Sequence, residues 1–229
     1  MAFVYLEIYF RRKKENKRLI IDIEINAIVA IVIGIFSAIL FQNLYDFIEN
    51  PVAYHWTWAL TFFGGLIGGA VSFLLGYFWV LRKRYGAFLP RLIIIAPACI
   101  SIAHGLGRIG CFCAGCCYGQ ETSSPLGVTF PGMDHKVWPT NLWEAIFLIL
   151  LSLVLLFLAL KKDFSYNFSI YMMAYGLWRF GIEFLRGDHR GDFVPGLTPS
   201  QFWSILLFLG GVVYFVLLLR KKITPTKAA

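Results

Sequence analysis

Long apolar runs separated by short basic segments constrain this sequence more than any other feature. A helix needs about 20 predominantly apolar residues to cross a membrane. Six runs approach or exceed that length, with predicted bounds 26–48, 56–81, 92–106, 142–160, 168–185 and 202–219. Only 15% of the 229 residues are charged, compared with about 25% in ordinary soluble domains. The sequence therefore predicts an all-α, polytopic membrane helical bundle with six full spans.

The first ten residues, MAFVYLEIYF, are apolar but too short to span a membrane. They are interpreted as a stub, which is either part of a shortened first span or an interfacial segment. The predicted organisation is an N-terminal stub with a basic segment (1–25), a membrane domain (26–220) and a tail (221–229). The largest predicted loop is 107–141.

Basic residues alternate between the connections. Sixteen Lys and Arg residues lie in 11–18, 82–91, 161–163 and the C-terminal tail, whereas the alternate connections 49–55, 107–141 and 186–201 hold four. Cytoplasmic loops of membrane proteins are enriched in Lys and Arg. We therefore expect the tail in the cytoplasm and the three poor loops outside. The net charge of +8 comes mainly from these clusters, so nucleic acid is not an expected partner.

Ionisable residues within membrane segments are costly and are functional candidates by default. Arg179, Glu183 and Arg186 have the spacing i, i+4 and i+7, which predicts one shared helix face. They could form a structural ion pair between helices. Alternatively, the surplus positive charge could hold an anion, since guanidinium groups match phosphate oxygens.

PTNLWEA (139–145) opens the predicted fourth span, with Asn141 as a candidate helix cap. Glu144 in the first turn has two interpretations. It could favour the positive end of the helix dipole. It could also pair with a buried arginine, because its predicted depth matches that of Arg108 and Arg179.

HGLGRIGCFCAGCCYG (104–119) is rich in glycine, with Gly105, Gly107, Gly110, Gly115 and Gly119. Such density predicts unwound backbone or close packing. Exposed N–H groups beside Arg108 would suit a phosphate. His104 is either a general base or a histidine that is simply hydrogen-bonded.

The same stretch holds four of the five cysteines, Cys111, Cys113, Cys116 and Cys117. Zinc sites usually use separated C-x-x-C pairs, and adjacent cysteines fit one tetrahedral ion poorly. A disulfide outside the cytoplasm is chemically allowed. Small packing residues in a turn are the third interpretation, and the sequence leaves all three open.

At this point several motifs resemble one family, the prolipoprotein diacylglyceryl transferases. GRIGCFCAGCCYG (107–119) resembles its signature, and GGLIG (64–68) resembles an earlier element. GVTFPG (127–132), PTNLWEA (139–145) and YGLWRFGIEFLRGD (175–188) resemble later landmarks in the same order. The resemblance covers residues 27–220.

The resemblance implies a multi-pass enzyme of the bacterial cytoplasmic membrane whose site faces outward. It would transfer a diacylglyceryl group from a phospholipid donor, phosphatidylglycerol, to the lipobox thiol of a secreted prolipoprotein, releasing glycerol 1-phosphate. No metal or other cofactor is expected. The candidate catalytic residues are His104, Arg108, Glu144, Arg179 and Glu183. The candidate substrate-binding residues are Gly64, Gly65, Gly107, Gly110, Gly119, Asn141 and Arg186.

This chain also departs from the family pattern. Phe63 replaces a histidine, Cys111 replaces the signature asparagine, and Cys116 replaces its glutamate. His104 is a candidate substitute for the lost histidine. These changes predict a divergent member that retains donor binding. The alternatives are a different extracytoplasmic acceptor, such as a glycan or lipid, or a lipid-binding protein without catalysis.

Overall fold

The chain is helical, as expected from its apolar runs. The computed structural model describes residues 1–49, 51–52, 54–59, 61–86, 88–186 and 196–223. Its α-helices are α1 (Ala2–Arg12), α2 (Lys17–Glu49), α3 (Phe62–Gly76), α4 (Arg82–Tyr85), α5 (Leu89–Cys113), α6 (Thr140–Lys162), α7 (Asn167–Ile182) and α8 (Pro199–Ile223). A π-helical turn joins α3 to α4, and a 3-10 turn follows α7. The described residues contain isolated β-bridges but no strand, which confirms the all-α class.

Within the described residues, five segments are long and apolar enough to cross a membrane. They are Lys17–Ile48, Gly64–Tyr85, Leu89–Cys113, Thr140–Lys161 and Pro199–Arg220. These segments support a polytopic helical membrane protein. Helix α7 has 16 residues and is only about 24 Å long. The count of six full spans and the cytoplasmic tail therefore stay predictions.

Several helices do not coincide with the predicted membrane spans. Helix α2 begins at Lys17 rather than at residue 26, and α5 ends at Cys113 rather than near residue 106. Helix α3 begins at Phe62, whereas its span was predicted from residue 56. Hydropathy marks the apolar part of a helix, and polar ends can continue beyond it as helix.

Cα distances group the residues into two compact units. The C-terminal unit consists of Met1–Tyr9 and the chain from Leu89 onward, and the N-terminal unit is Phe10–Phe88. The C-terminal unit contains α5 to α8. The N-terminal unit contains α2 to α4.

In the C-terminal unit, one buried amide connects three helices. Asn167, at the start of α7, donates hydrogen bonds to the carbonyl oxygens of Ile94 in α5 and Leu155 in α6, both at 2.9 Å. A buried amide in hydrocarbon is stable only when it is paired. These bonds place the beginning of α7 beside the first part of α5 and the last part of α6. The end of α5, the start of α6 and the end of α7 lie away from this anchor.

The predicted N-terminal stub is a short helix packed in the C-terminal unit. Tyr5 and Tyr9 are buried, and the Tyr9 hydroxyl donates to Asp163 at 3.1 Å. Burial and the nearby Asp163 carboxylate raise the pKa of Tyr9 above its usual range. The Cys99 thiol donates to the carbonyl oxygen of Ala2 at 3.4 Å. Eleven residues are too few to span a membrane.

Two predicted substrate-binding glycines, Gly64 and Gly65, lie in the N-terminal unit, where α3 packs on α2. A Cβ added at Gly64 would lie 2.6 Å from the Cβ of Phe41 and 2.9 Å from the carbonyl oxygen of Ser37. At Gly65, the nearest atom would be the Ala38 Cβ at 3.4 Å. Small residues let membrane helices approach closely. Gly64 thus has a packing role, and ligand binding by either glycine stays a prediction.

These two neighbouring glycines form a matched pair for a stability test. We expect Gly64→Ala to lower stability by about 1–3 kcal/mol, because the added methyl group overpacks the α2–α3 contact. Gly65→Ala should change it much less. Thermal unfolding of both variants in the same detergent measures the difference. Equal losses would contradict the proposed contact.

Candidate active site

The carboxylate of Glu144 lies at the centre of the candidate site. Glu144 is in the second turn of α6 and is 1% exposed. One oxygen lies 3.0 Å from Arg108 Nε and 3.8 Å from Arg179 Nη1. The other accepts a hydrogen bond from the Tyr175 hydroxyl at 2.9 Å and lies 3.9 Å from His104 Nε2. Glu144 therefore joins residues of α5 and α7, which confirms its interpretation as an arginine partner.

The residues around Glu144 come in pairs with helical spacing. His104 and Arg108 are one turn apart on α5, and Tyr175 and Arg179 are one turn apart on α7. The rings of His104 and Tyr175 meet edge to face, with centroids 5.3 Å apart. Residues four apart lie on the same face of a helix. Each helix thus presents a guanidinium and a ring to the same carboxylate.

A second buried carboxylate, Glu183, extends the network. Arg179 Nη2 lies 2.8 Å from one Glu183 oxygen and donates to the Ser200 hydroxyl at 2.9 Å. The Thr198 hydroxyl donates to the other Glu183 oxygen at 3.1 Å. Arg186 Nε lies 4.0 Å from Glu183. Arg179 therefore connects both carboxylates and the start of α8.

The predicted helix face containing Arg179, Glu183 and Arg186 is wrong in its geometry. Helix α7 ends at Ile182, and Glu183 lies in the following 3-10 turn. Arg186 has extended backbone, with φ −82° and ψ 142°. The three side chains still meet, because the chain turns after α7 and returns Arg186 to Glu183.

The network has a surplus of positive charge. It combines three guanidinium groups with two carboxylates, and its charge is therefore one positive unit when His104 is neutral. Arg108 is the most accessible of the three, with its side chain 17% exposed compared with 10% for Arg179 and 3% for Arg186. Guanidinium groups bind phosphate through paired hydrogen bonds, and low polarity strengthens this attraction. The arrangement is suited to one anionic phosphate.

The glycine-rich stretch was expected to be unwound or closely packed, and it leaves the helix only after α5 ends at Cys113. Gly105, Gly107 and Gly110 lie inside α5. Gly105 packs closely on α6, with an added Cβ 3.3 Å from the Ala145 carbonyl oxygen. Gly107 and Gly110 are exposed, and a Cβ on either would meet no described atom within 4 Å. Their predicted part in substrate binding is untested, and backbone N–H groups within a helix are not available to a phosphate.

Gly119 lies where the loop following α5 contacts the segment after α7. Its N–H donates to the Trp138 carbonyl oxygen at 2.7 Å, and Gly119 forms an antiparallel bridge with Arg186. An added Cβ would collide with the Leu185 carbonyl oxygen and lie 2.8 Å from Thr140. The absence of a side chain at Gly119 thus allows the loop to dock beside the site.

Asn141 and Thr140 attach the same loop to α6. Asn141 Nδ2 donates to the Cys116 carbonyl oxygen at 2.8 Å, and the Thr140 hydroxyl donates to that of Cys117 at 3.3 Å. Asn141 lies inside α6, whose cap residue is Pro139, so its predicted capping role is wrong. Its buried amide holds the loop instead.

Three cysteines meet in this loop. The sulfur atoms of Cys111, Cys116 and Cys117 all lie within 4.8 Å of one another, whereas Cys113 is outside the cluster and exposed. Burial alone would raise the pKa of Cys117. Hydrogen bonding with Cys116 and the guanidinium groups of Arg186 and Arg108 outweigh that effect and lower the pKa of Cys117 below its usual value.

Three polar residues of the site were not predicted. Tyr175 was recognisable in principle, because it precedes Arg179 by one helical turn. Thr198 and Ser200 lie at the start of α8, where serine and threonine are common in any helix. Nothing in their local sequence indicates a contact with α7.

The fold and the site together define a class of protein. It is a polytopic helical membrane protein with a buried arginine–carboxylate network that is suited to a phosphate. The family of prolipoprotein diacylglyceryl transferases matches residues 1–217. That match includes the N-terminal segment, which lay outside the resemblance found from motifs. The chain belongs to this family.

Curated relatives agree with the family match. The chain is 33% identical to a phosphatidylglycerol–prolipoprotein diacylglyceryl transferase of Clostridium tetani over 222 residues, covering 93% of this chain and 86% of that protein. It is 38% identical to transferase 2 of Clostridium perfringens over 159 residues, covering 67% and 60%. It is 29% identical to the Bordetella avium enzyme over 234 residues, covering 96% and 87%.

Proposed function

We propose that this chain transfers a diacylglyceryl group from phosphatidylglycerol to the lipobox cysteine thiol of a prolipoprotein. The observation that carries this proposal is the contact of Glu144 with both Arg108 and Arg179, in a network with one surplus positive charge. Family membership and the names of the relatives support the donor and acceptor.

The reaction requires a nucleophilic sulfur and a stabilised leaving group. The acceptor thiol loses its proton to His104, and its sulfur attacks the glycerol carbon that bears the phosphate ester. The S–C bond forms while the C–O bond breaks, and the bonding electron pair leaves on a phosphate oxygen of glycerol 1-phosphate. Arg108 contacts the phosphate, and Arg179 and Arg186 add positive charge behind it. Such fixed charge accelerates reactions by stabilising developing negative charge.

The carboxylates hold these arginines in position. Glu144 pairs with Arg108 of α5 and with Arg179 of α7. Glu183 and Ser200 hold the other end of the Arg179 guanidinium. A fixed guanidinium loses less conformational entropy when the phosphate arrives. Both carboxylates therefore contribute to catalysis by orientation.

We also propose that the site faces outward in a bacterial cytoplasmic membrane. The C-terminal unit supports this orientation. Basic Arg91 and Lys161 lie at the start of α5 and the end of α6, whereas Arg108 and Glu144 lie at their other ends. The charge rule favours the basic end in the cytoplasm, which puts the site on the side where secreted prolipoproteins emerge.

The function is tested with purified protein, phosphatidylglycerol in detergent and a lipobox peptide. We expect the peptide thiol to gain the mass of a diacylglyceryl group, with equimolar release of glycerol phosphate. Glycerol phosphate release without a peptide adduct would contradict the proposed acceptor. No turnover of phosphatidylglycerol would contradict the activity.

The same assay tests Arg108. We expect Arg108→Ala to reduce turnover by at least about 100-fold, the loss typical when a group that stabilises transition-state charge is removed. Arg84→Ala is the control, since Arg84 also pairs with a carboxylate, Asp22 at 2.7 Å, but in the N-terminal unit. Normal turnover in Arg108→Ala would exclude Arg108 from phosphate binding.

A further inference from the structure

The three-sulfur cluster has the composition and spacing of a metal site. The cluster consists of Cys111 at the end of α5 and the adjacent Cys116 and Cys117, with all sulfur separations within 4.8 Å. In tetrahedral zinc sites the Zn–S distance is about 2.3 Å, so that sulfur atoms lie roughly 3.8 Å apart. The largest sulfur separation therefore exceeds the zinc spacing by about 1 Å at most.

The backbone conformation allows two adjacent cysteines to contribute sulfur atoms to one cluster. Cys117 has φ +61°, in the left-handed region that residues other than glycine seldom adopt. The Cys116 N–H donates to the Cys111 carbonyl oxygen at 3.1 Å, which folds the turn onto the end of α5. This turn directs the sulfurs of both adjacent residues to that of Cys111. Asn141 and Thr140 hold the turn through its carbonyl oxygens.

The charge of the neighbouring network also suits a metal–thiolate site. A divalent ion bound by three thiolates has one net negative charge, and the arginine–carboxylate network beside this loop has one surplus positive charge. Thiolate ligands select zinc and similar soft ions over magnesium or calcium.

The cluster leaves a coordination position open. It has three protein ligands within the described residues, and Cys116 is exposed. Structural zinc sites have four protein ligands, whereas catalytic sites have three and an open position. Cys111 follows Arg108 by three residues on α5, and Gly119, two residues after Cys117, bridges to Arg186. The cluster therefore lies beside the proposed phosphate site.

We propose that Cys111, Cys116 and Cys117 bind one Zn²⁺ ion, and that its open position takes the acceptor thiol. This inference rests on the proposed function. A thiol bound to zinc is deprotonated, and its proton passes to His104 or water. The sulfur lone pair then forms the S–C bond as the C–O bond to phosphate breaks. In this chain zinc would activate the acceptor thiol.

Metal content provides the direct test. The reduced, chelator-treated protein is titrated with Zn²⁺, and with Co²⁺ as a probe whose charge-transfer absorption reports thiolate ligands. We expect one ion per chain. Cys111→Ser and Cys116→Ser should each weaken binding by at least about tenfold, as loss even of outer partners can do. Cys113→Ser is the control and should bind normally, because Cys113 lies outside the cluster.

Several results would overturn the site. One such result is that the reduced protein binds no stoichiometric metal. Another is that Cys113→Ser weakens metal binding as much as the cluster variants do. A third is a disulfide that joins two of the three sulfurs in the protein as purified. Mass analysis before and after reduction detects the disulfide.

Peptide transfer separates this inference from the proposed function. Chelation should lower transfer to the peptide, and added Zn²⁺ should restore it in the wild type but not in Cys116→Ser. Undiminished transfer after chelation would overturn the role of zinc while supporting the transferase. Stoichiometric zinc binding without any transfer would support the site and overturn the transferase.

Discussion

Replacing Glu144 by glutamine is expected to abolish transfer and to destabilise the fold. Glutamine keeps the shape of the side chain but removes the charge that faces Arg108, Arg179 and His104. Removing one partner of a buried ion pair costs about 3–5 kcal/mol, because the remaining charge has lost its compensation. The guanidinium groups should also repel each other and lose the orientation needed for a phosphate.

Two measurements distinguish these effects. Thermal unfolding in detergent gives the loss of stability, and transfer to a lipobox peptide well below the melting temperature gives the loss of activity. Glu121→Gln is the matched control, since Glu121 is exposed and lies in the loop between α5 and α6. A Glu144→Gln protein with both normal stability and normal transfer would contradict the central position assigned to this carboxylate.

Arg179→Lys is expected to lower the turnover number by about 100- to 1000-fold, the range found when a transition-state donor is lost. Lysine keeps the positive charge, but it is a single compact ammonium. Arg179 uses one nitrogen for Ser200 and Glu183, at 2.9 and 2.8 Å, and directs another to Glu144 at 3.8 Å. Lysine cannot maintain this bridge between α6 and α8, and Glu183 should lose its fixed position.

Turnover and apparent affinity for phosphatidylglycerol are measured separately for this variant. We expect the turnover number to change more than the affinity, because Arg108 and Arg186 still attract the lipid phosphate. Arg84→Lys is the control for the same substitution at an exposed ion pair. A fall in affinity alone would show that Arg179 binds the ground state and does not stabilise the transition state.

The sequence predicted the class of fold and most of the charged network. Long apolar runs are a direct consequence of the bilayer, and charged residues inside them are rare enough to be recognised individually. The partnership of Glu144 with arginines was one of the two interpretations that its depth allowed, and the structure favours it. The contacts of Thr198 and Ser200 were not, since they depend on where α8 begins relative to the end of α7.

The local backbone was less predictable than the charges. Glycine lowers helix propensity by about 1 kcal/mol, so the glycines of α5 suggested unwinding. Close packing was the other interpretation, and it is confirmed at Gly105, which contacts α6 from within the helix. The prediction that Arg179 and Arg186 share a helix face was wrong because it assumed α-helix where the chain has none. Helical spacing was extended beyond Ile182, where the chain leaves the helix.

The docking of the loop beside the site depends mainly on main-chain groups. Gly119 N–H and Gln120 N–H bond to the carbonyl oxygens of Trp138 and Leu185, and Asn141 holds the Cys116 carbonyl. None of these bonds uses the side chain of residue 111 or 116. Such a loop can exchange its side chains during evolution without losing its position. The position of this loop is therefore compatible with thiols at residues 111 and 116 beside the arginine–carboxylate network.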